Sequence, residues 1–470
     1  MVLAWRRWSR SARHAVRRAS EGPRRLFGPI KELFQLAWPI TIAMLGESAM
    51  GLVDTKLVGG LGASALAGVG MATVVFYLGF AITSGTLRGV KVRTAYLVGQ
   101  GRSGDALAHA RAGMLIGAVA GLAIFLIGRD VTPVLRLLQV DDGMLPYARD
   151  FMAARTTLAV TTCMFLALSQ YRQGLGDTRT PMIVGIGGNV VNGVLAYSLI
   201  YGHLGLPAMG VRGAGYGTAI TESLQFAVML ALLVRDHLRA RSNGTVSAVP
   251  FRQALREVLG LGVPTGLHFG FEMLAFTTFT AVLGSLGAAE LAAHHVALNT
   301  MRASFLPGVA VSEATSILVA RSLGANNLRA ADRSTFAALV LAVSFMTLCG
   351  VTFALFGRDI AGAFSNDPAV VVIAGRLLLL AAVFQTLDAA YMVLRGALRG
   401  AKDVRWVAIV GTTVAWCSIP GAALLFGRLG GLGALGGWLG FILETSLGAT
   451  LLLRRWRKGA WRAGFAPTTA

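Results

Sequence analysis

Apolar runs of about twenty residues recur along the whole chain, and residues 257–324 show what they must be. That stretch reads EVLGLGVPTGLHFGFEMLAFTTFTAVLGSLGAAELAAHHVALNTMRASFLPGVAVSEATSILVARSLG. Two long apolar segments are joined by a short turn, LGSLGAAEL, which carries no Lys or Arg. In hydrocarbon every backbone N–H and C=O must be satisfied within the protein, and runs of this length achieve that only as helices. A transmembrane barrel requires short alternating segments, and the chain has none of that pattern. Only 14% of the 470 residues are charged, against about 25% in an ordinary soluble protein. The fold class expected is therefore an all-α polytopic membrane protein.

The plan is written twice. Pro39 and Pro264 open matching segments, and Glu47 and Glu272, Gly62 and Gly287, Leu66 and Leu291, Ala67 and Ala292, and Gly99 and Gly324 follow, each pair 225 positions apart. Span 1 is read over 33–58, span 2 over 65–93, span 3 over 106–127, span 4 over 146–171 and span 5 over 182–201, with span 6 ending near Leu233. Spans 7 and 8 occupy the opening stretch, and spans 9 to 12 fall near 334–356, 369–396, 405–426 and 432–453. This divides the chain into a basic tail (1–32), a six-helix bundle (33–234), a linker (235–256), a second six-helix bundle (257–453) and a basic tail (454–470). An even number of spans returns the chain to the side it left, so both bundles insert the same way up. Halves of that kind are related by a pseudo-two-fold axis along the membrane normal, and the cleft between them is the expected transport path.

The net charge of +21 would suit a nucleic-acid partner, but its distribution argues against one. Basic residues sit at the N-terminus, in alternate loops, in the linker and at the C-terminus, which is the positive-inside pattern of an inner or plasma membrane protein with both termini cytoplasmic. The Arg-rich start, Arg6 to Lys31, reads as a cytoplasmic tail or a helix on anionic lipid, with an organellar transit peptide as the alternative. Cys163, Cys349 and Cys417 all lie in apolar segments and form neither a disulfide framework nor a metal spacing.

A carboxylate at lipid depth is costly and normally faces a cavity, which singles out Glu272, Asp388 and Glu47, the last with pairing to a basic residue of span 2 as the alternative; Asp54 lies nearer the outer end of span 1, where solvation at the interface is the alternative to a functional role. His268 lies four residues before Glu272 and shares its helix face, so the two could exchange a proton or bind a cation together; a histidine that merely braces the helix is the alternative. Gln385 precedes Asp388 by about one turn. Asn189, Asn192 and Tyr197 on span 5, with Gln170 on span 4, are candidates to line the cleft or to bond between packed helices. His294 and His295 are adjacent and cannot point the same way on a helix, which argues against a metal. There is no phosphate-binding loop, so ATP is not expected as the driving force, and no nucleophile–base or zinc-hydrolase motif.

Several stretches resemble the multidrug and toxic compound extrusion (MATE) family. They are PITIAMLGESAMGLVDTKLVGGLGASALAGVG and RQGLGDTRTPMIVGIGGNVVNGVLAYSLIYG in the first half, and GVPTGLHFGFE, AAHHVALN and FQTLDAAYMVLRGALRGAKD in the second. The last three are similar to the NorM-like branch. The resemblance implies an antiporter that expels organic, often cationic and amphipathic, cargo, driven by sodium or protons and needing no cofactor. Carried over residue by residue, it implies a coupling role for Asp54, Glu272 and Asp388, with Glu272 and Asp388 at the cation site. Leu195 and Ala196 stand where many relatives have Leu-Asp, so a proton site built on that acid is absent. Lys56, Arg88, Lys91 and Arg93 depart from a cation-loving path. A flippase for a lipid-linked precursor is the nearest competing function, and a membrane-embedded acyl or prenyl transferase a more distant one.

Arg88 and Glu313 are also 225 positions apart. Each precedes its glycine, Gly99 or Gly324, by eleven residues, or about 16 Å along a helix at 1.5 Å per residue. Positions related by a two-fold axis meet if both lie near it. These two are therefore expected to pair across the cleft as an inter-lobe gate on the cytoplasmic side; pairing within each half is the alternative.

Overall fold

A computed structural model describes residues 24–138, 140–242 and 249–465. Most of the expected N-terminal tail, residues 243–248 of the linker and residues 466–470 of the C-terminal tail lie outside the described residues. Among the described residues there is no strand. The long helices of the first half are α1 (Arg24–Gly59), α2 (Ala63–Gly99), α3 (Ala106–Arg129), α4 in two pieces (Leu145–Thr156 and Ala159–Leu175), α5 (Arg179–Tyr201) and α6 (Val211–Ser242), with a short helix, Thr132–Leu137, between α3 and α4. Those of the second are α7 (Phe251–Gly284), α8 (Ala288–Gly324), α9 (Leu328–Phe364), α10 (Pro368–Gly400), α11 (Val404–Ala422) and α12 (Gly433–Lys458). Eleven described helices are long and apolar enough to cross a membrane, and α4 makes a twelfth if its two pieces are one span.

Three local features differ from a reading of straight, uninterrupted spans. The pieces of α4 are bent by 55°. At the break Thr156 and Thr157 donate their hydroxyls to the carbonyls of Met152 and Ala153, at 2.9 and 2.8 Å. Such back-bonding bends helices. In α11, Pro420 removes a backbone donor and the helix continues as a π-helical stretch, Ala423–Leu429. Pro39 and Pro264 lie well inside α1 and α7 rather than at their starts.

The two-fold relation is visible at the Gly99/Gly324 end. A Cβ added at Gly99 would collide with the carbonyl of Arg321, and one added at Gly324 with the carbonyl of Tyr96. Tyr96 and Arg321 are themselves 225 positions apart, so one contact is made twice across the axis. Farther along the same helices, Gly85 and Gly89 of α2 lie against the α7 backbone at Gly266 and Val258. Toward the Gly62/Gly287 end the close glycine contacts stay within one half: Gly68 meets Met144 and Tyr147, and Gly79 meets Ile124. Among the described residues every hydrogen bond and ion pair between the halves also lies toward the Gly99/Gly324 end. The halves are thus locked together at that end.

Candidate functional site

Three polar clusters interrupt the apolar helices. In the first half, α1 and α5 bring Asp54 to Asn192, whose amide donates to the carboxylate at 3.3 Å. Glu47 is exposed and makes no hydrogen bond or ion pair among the described residues. Its neighbour Gly46 lies against Asn189. Across from them Glu222 of α6 accepts from Arg155 at 2.8 Å and from Thr162 at 2.6 Å. Gln170 is buried, with its side-chain oxygen unpartnered. Tyr197 stacks on His203 at 4.8 Å, toward the far end of α5.

The second cluster is built by α7, α10, α11 and α12. Glu272 and His268 share a face as expected, 3.6 Å apart, but they do not form an isolated pair. Arg395 of α10 grips both oxygens of Glu272, at 2.9 Å each, and donates to His268 Nε2 at 2.6 Å. Because Nε2 accepts there, the imidazole is the neutral tautomer, with its Nδ1–H directed at the Thr412 hydroxyl 3.1 Å away. The expected carboxylate–imidazole couple is therefore a carboxylate–guanidinium–imidazole triad. Asp388 is buried and makes no hydrogen bond or ion pair among the described residues. It is within electrostatic range of both Glu272 and Arg395. Gln385 does not reach it, because its amide donates to the Ser304 hydroxyl at 2.5 Å. Glu444 of α12 is equally buried and unpartnered among the described residues, and it feels the same charges.

The third cluster lies at the interface of the halves. Arg88 of α2 reaches Glu313 of α8 at 3.3 Å, so the two symmetry-related positions do meet. They are not alone. Lys91 of α2 bonds the other oxygen of Glu313, and Arg399 of α10 reaches the first at 3.3 Å. Phe269 of α7 lies beneath the Arg88 guanidinium, 4.2 Å from ring centroid to Cζ. Nearer the Gly99/Gly324 end, Glu257 of α7 accepts from Arg93 at 2.6 Å and contacts His109 at 2.7 Å. There Arg321 donates to the Leu175 carbonyl at 3.3 Å. Lys402, in the turn after α10, sits 3.3 Å over the Tyr96 ring. Its ammonium is pushed down to about 8 by burial, with the nearby Arg93 charge adding to the shift.

Arg395, Arg399, Glu444, Glu222, Arg155 and the Glu257–His109 pair were not among the residues singled out from sequence. Arg395 follows Asp388 by two turns and precedes Arg399 by one, a spacing that puts all three on one face. Glu222 and Glu444 are acids inside apolar runs, the same signal that marked Glu272.

The MatE family model matches residues 39–198 and 264–424. A probable multidrug resistance protein NorM of Geobacillus kaustophilus is 32% identical over 448 residues, covering 94% of this chain and 98% of that protein. The multidrug resistance protein MdtK of Yersinia pseudotuberculosis is 29% identical, with 91% and 95% covered. Among solved structures, an outward-facing conformation of a multidrug resistance MATE family transporter superposes with a TM-score of 0.82 at 21% identity, covering 92% of this chain and 97% of that one.

Proposed function

The chain belongs to the MATE family, and from that premise we propose that it is a secondary antiporter that exports organic compounds from the cytoplasm by alternating access. Both termini and the 235–256 linker are cytoplasmic in this reading, because all three are rich in Arg or Lys. The Gly99/Gly324 end is then the inner end, closed here, and the cargo path opens outward.

One observation carries the coupling step. Asp388 is buried at lipid depth without a hydrogen bond or ion pair among the described residues, two turns before Arg395 on α10 and across from Glu272 of α7. A carboxylate so placed is a natural seat for a proton or a sodium ion. Sodium or a proton arriving at Asp388 and Glu272 weakens the hold of Arg395 on Glu272, and Asp54 with Asn192 supplies an acidic face in the other half. Arg88 and Glu313 act as the inner gate: paired while that end is closed, parted when it opens. Such a pair need not add net stability, but it biases which state is populated.

The test is cargo movement in liposomes, with a fluorescent organic cation as cargo and sodium and proton gradients imposed in turn. Transport driven by neither gradient would sink the antiporter reading. Movement of a labelled lipid-linked precursor instead, independent of both gradients, would assign the flippase function.

A further inference from the structure

The interface cluster carries more positive charge than its acid can balance. A small cavity between the halves is lined by Arg88, Lys91, Glu313, Ser316 and Arg399. Its one carboxylate is shared three ways: Arg88 and Arg399 both reach Oε1 at 3.3 Å, and Lys91 takes Oε2. Glu272 does not offset this excess, since both its oxygens are taken by Arg395. Asp388 and Glu444 make no ion pair with any of these cations among the described residues. A guanidinium does not lose its proton in a protein. Two permanent cations therefore face one carboxylate even if Lys91 is left out.

The donors are also incompletely used. The Nε atoms of Arg88 and Arg399 are buried with no hydrogen-bond partner. Ser316 is buried beside the cavity, and its hydroxyl makes no hydrogen bond among the described residues; Arg399 Nη2 also donates to the Ser312 hydroxyl at 3.3 Å, which leaves its Nε free. Unmatched charge buried between packed helices is unfavourable, and a counter-ion removes that cost. We propose that this cavity is a binding site for a small inorganic anion of halide size, held between Arg88 and Lys91 of one half and Arg399 and Ser316 of the other. Because both halves supply donors, the bound anion favours the state closed at the Gly99/Gly324 end. The site does not depend on what the protein exports or on which cation drives it.

The test uses the purified full chain in neutral detergent, with sodium chloride titrated against sodium gluconate at equal sodium and ionic strength. Thermal unfolding is the readout. The expected result is a saturable rise of the midpoint with chloride that gluconate does not produce. Arg399→Gln should weaken the apparent chloride affinity about tenfold or more, the loss of one charged hydrogen-bonding partner. Glu313→Gln removes the competing carboxylate and should tighten it by a similar factor. Coincident chloride and gluconate curves overturn the proposal. So does a saturable chloride response that neither variant changes, which would place the ion elsewhere. If Arg399→Gln does not fold, Glu313→Gln decides alone, and an unchanged or weaker affinity in it refutes the site.

Discussion

Adding one methyl group at Gly99 should open the end that is closed here. In Gly99→Ala the new Cβ meets the carbonyl of Arg321, with Ala325 N only 3.1 Å away. Both are backbone atoms, one in the last turn of α8 and one in the residue that caps it, so no rotamer change relieves the clash; the halves must move apart or α8 must shift. Overpacking of this kind costs about 1–3 kcal/mol. The cost falls only on the closed state, and a bias of 1–3 kcal/mol changes a two-state ratio about 5- to 150-fold. The assay is alkylation of a cysteine placed at Thr86, which is buried in the α2–α7 contact, after Cys163, Cys349 and Cys417 are replaced. Its labelling rate should rise by a factor within that range in Gly99→Ala. Gly324→Ala faces the symmetric clash with Tyr96 and should match it. Since the two changes open one interface, the double variant should exceed either alone by less than the product of their effects. Labelling unchanged in both single variants would refute the idea that these glycines set the closure.

Other expectations follow from the same geometry. Arg88→Glu and Glu313→Arg should each reduce gradient-driven export at least tenfold, about 1.4 kcal/mol or more, while the double swap restores part of it; a swap no better than the single changes would remove the gate. Glu272→Gln and Asp388→Asn should abolish export at normal expression, and full export by either would remove that residue from coupling. A membrane-impermeant thiol reagent added outside cells should label Ser285→Cys and spare Arg102→Cys; the reverse pattern would invert the orientation. Lys402 ionises near pH 8 in the folded chain against an ordinary 10.5. The unfolded chain therefore binds that proton more tightly between these values, and folding gains as pH rises through the window. Lys402→Met should flatten that part of a thermal-stability profile, and an identical profile would show that the ammonium is not desolvated.

The architecture was legible because its causes are local and periodic. Apolar run length dictates spans, and the 225-residue register dictates the axis on which Arg88 and Glu313 meet. The bend in α4 was not legible, because a Thr-Thr pair inside an apolar run leaves hydropathy almost unchanged. The acids Glu272 and Asp388 stood out since a charge at lipid depth is costly. Their surroundings did not. Arg395 sits near the end of a span, where an arginine is easily read as anchoring at the interface, and only tertiary packing turns it onto Glu272. Glu257 reads as the start of a helix in sequence and becomes an inter-half contact only when α2 and α3 bring Arg93 and His109 to it.

The pairing of Arg88 with Glu313 also bears on how such a chain can arise. Both positions lie beside the axis, close enough to touch. In a homodimer of one six-helix subunit, symmetry-related positions carry the same residue, so two arginines or two glutamates would face each other there and repel. An attractive contact between symmetry mates is open only to halves that are free to differ, as the two halves of this chain are. Divergence of the two halves is therefore a condition for this lock, and a version rebuilt from two identical subunits could not make it with ionised side chains at this position.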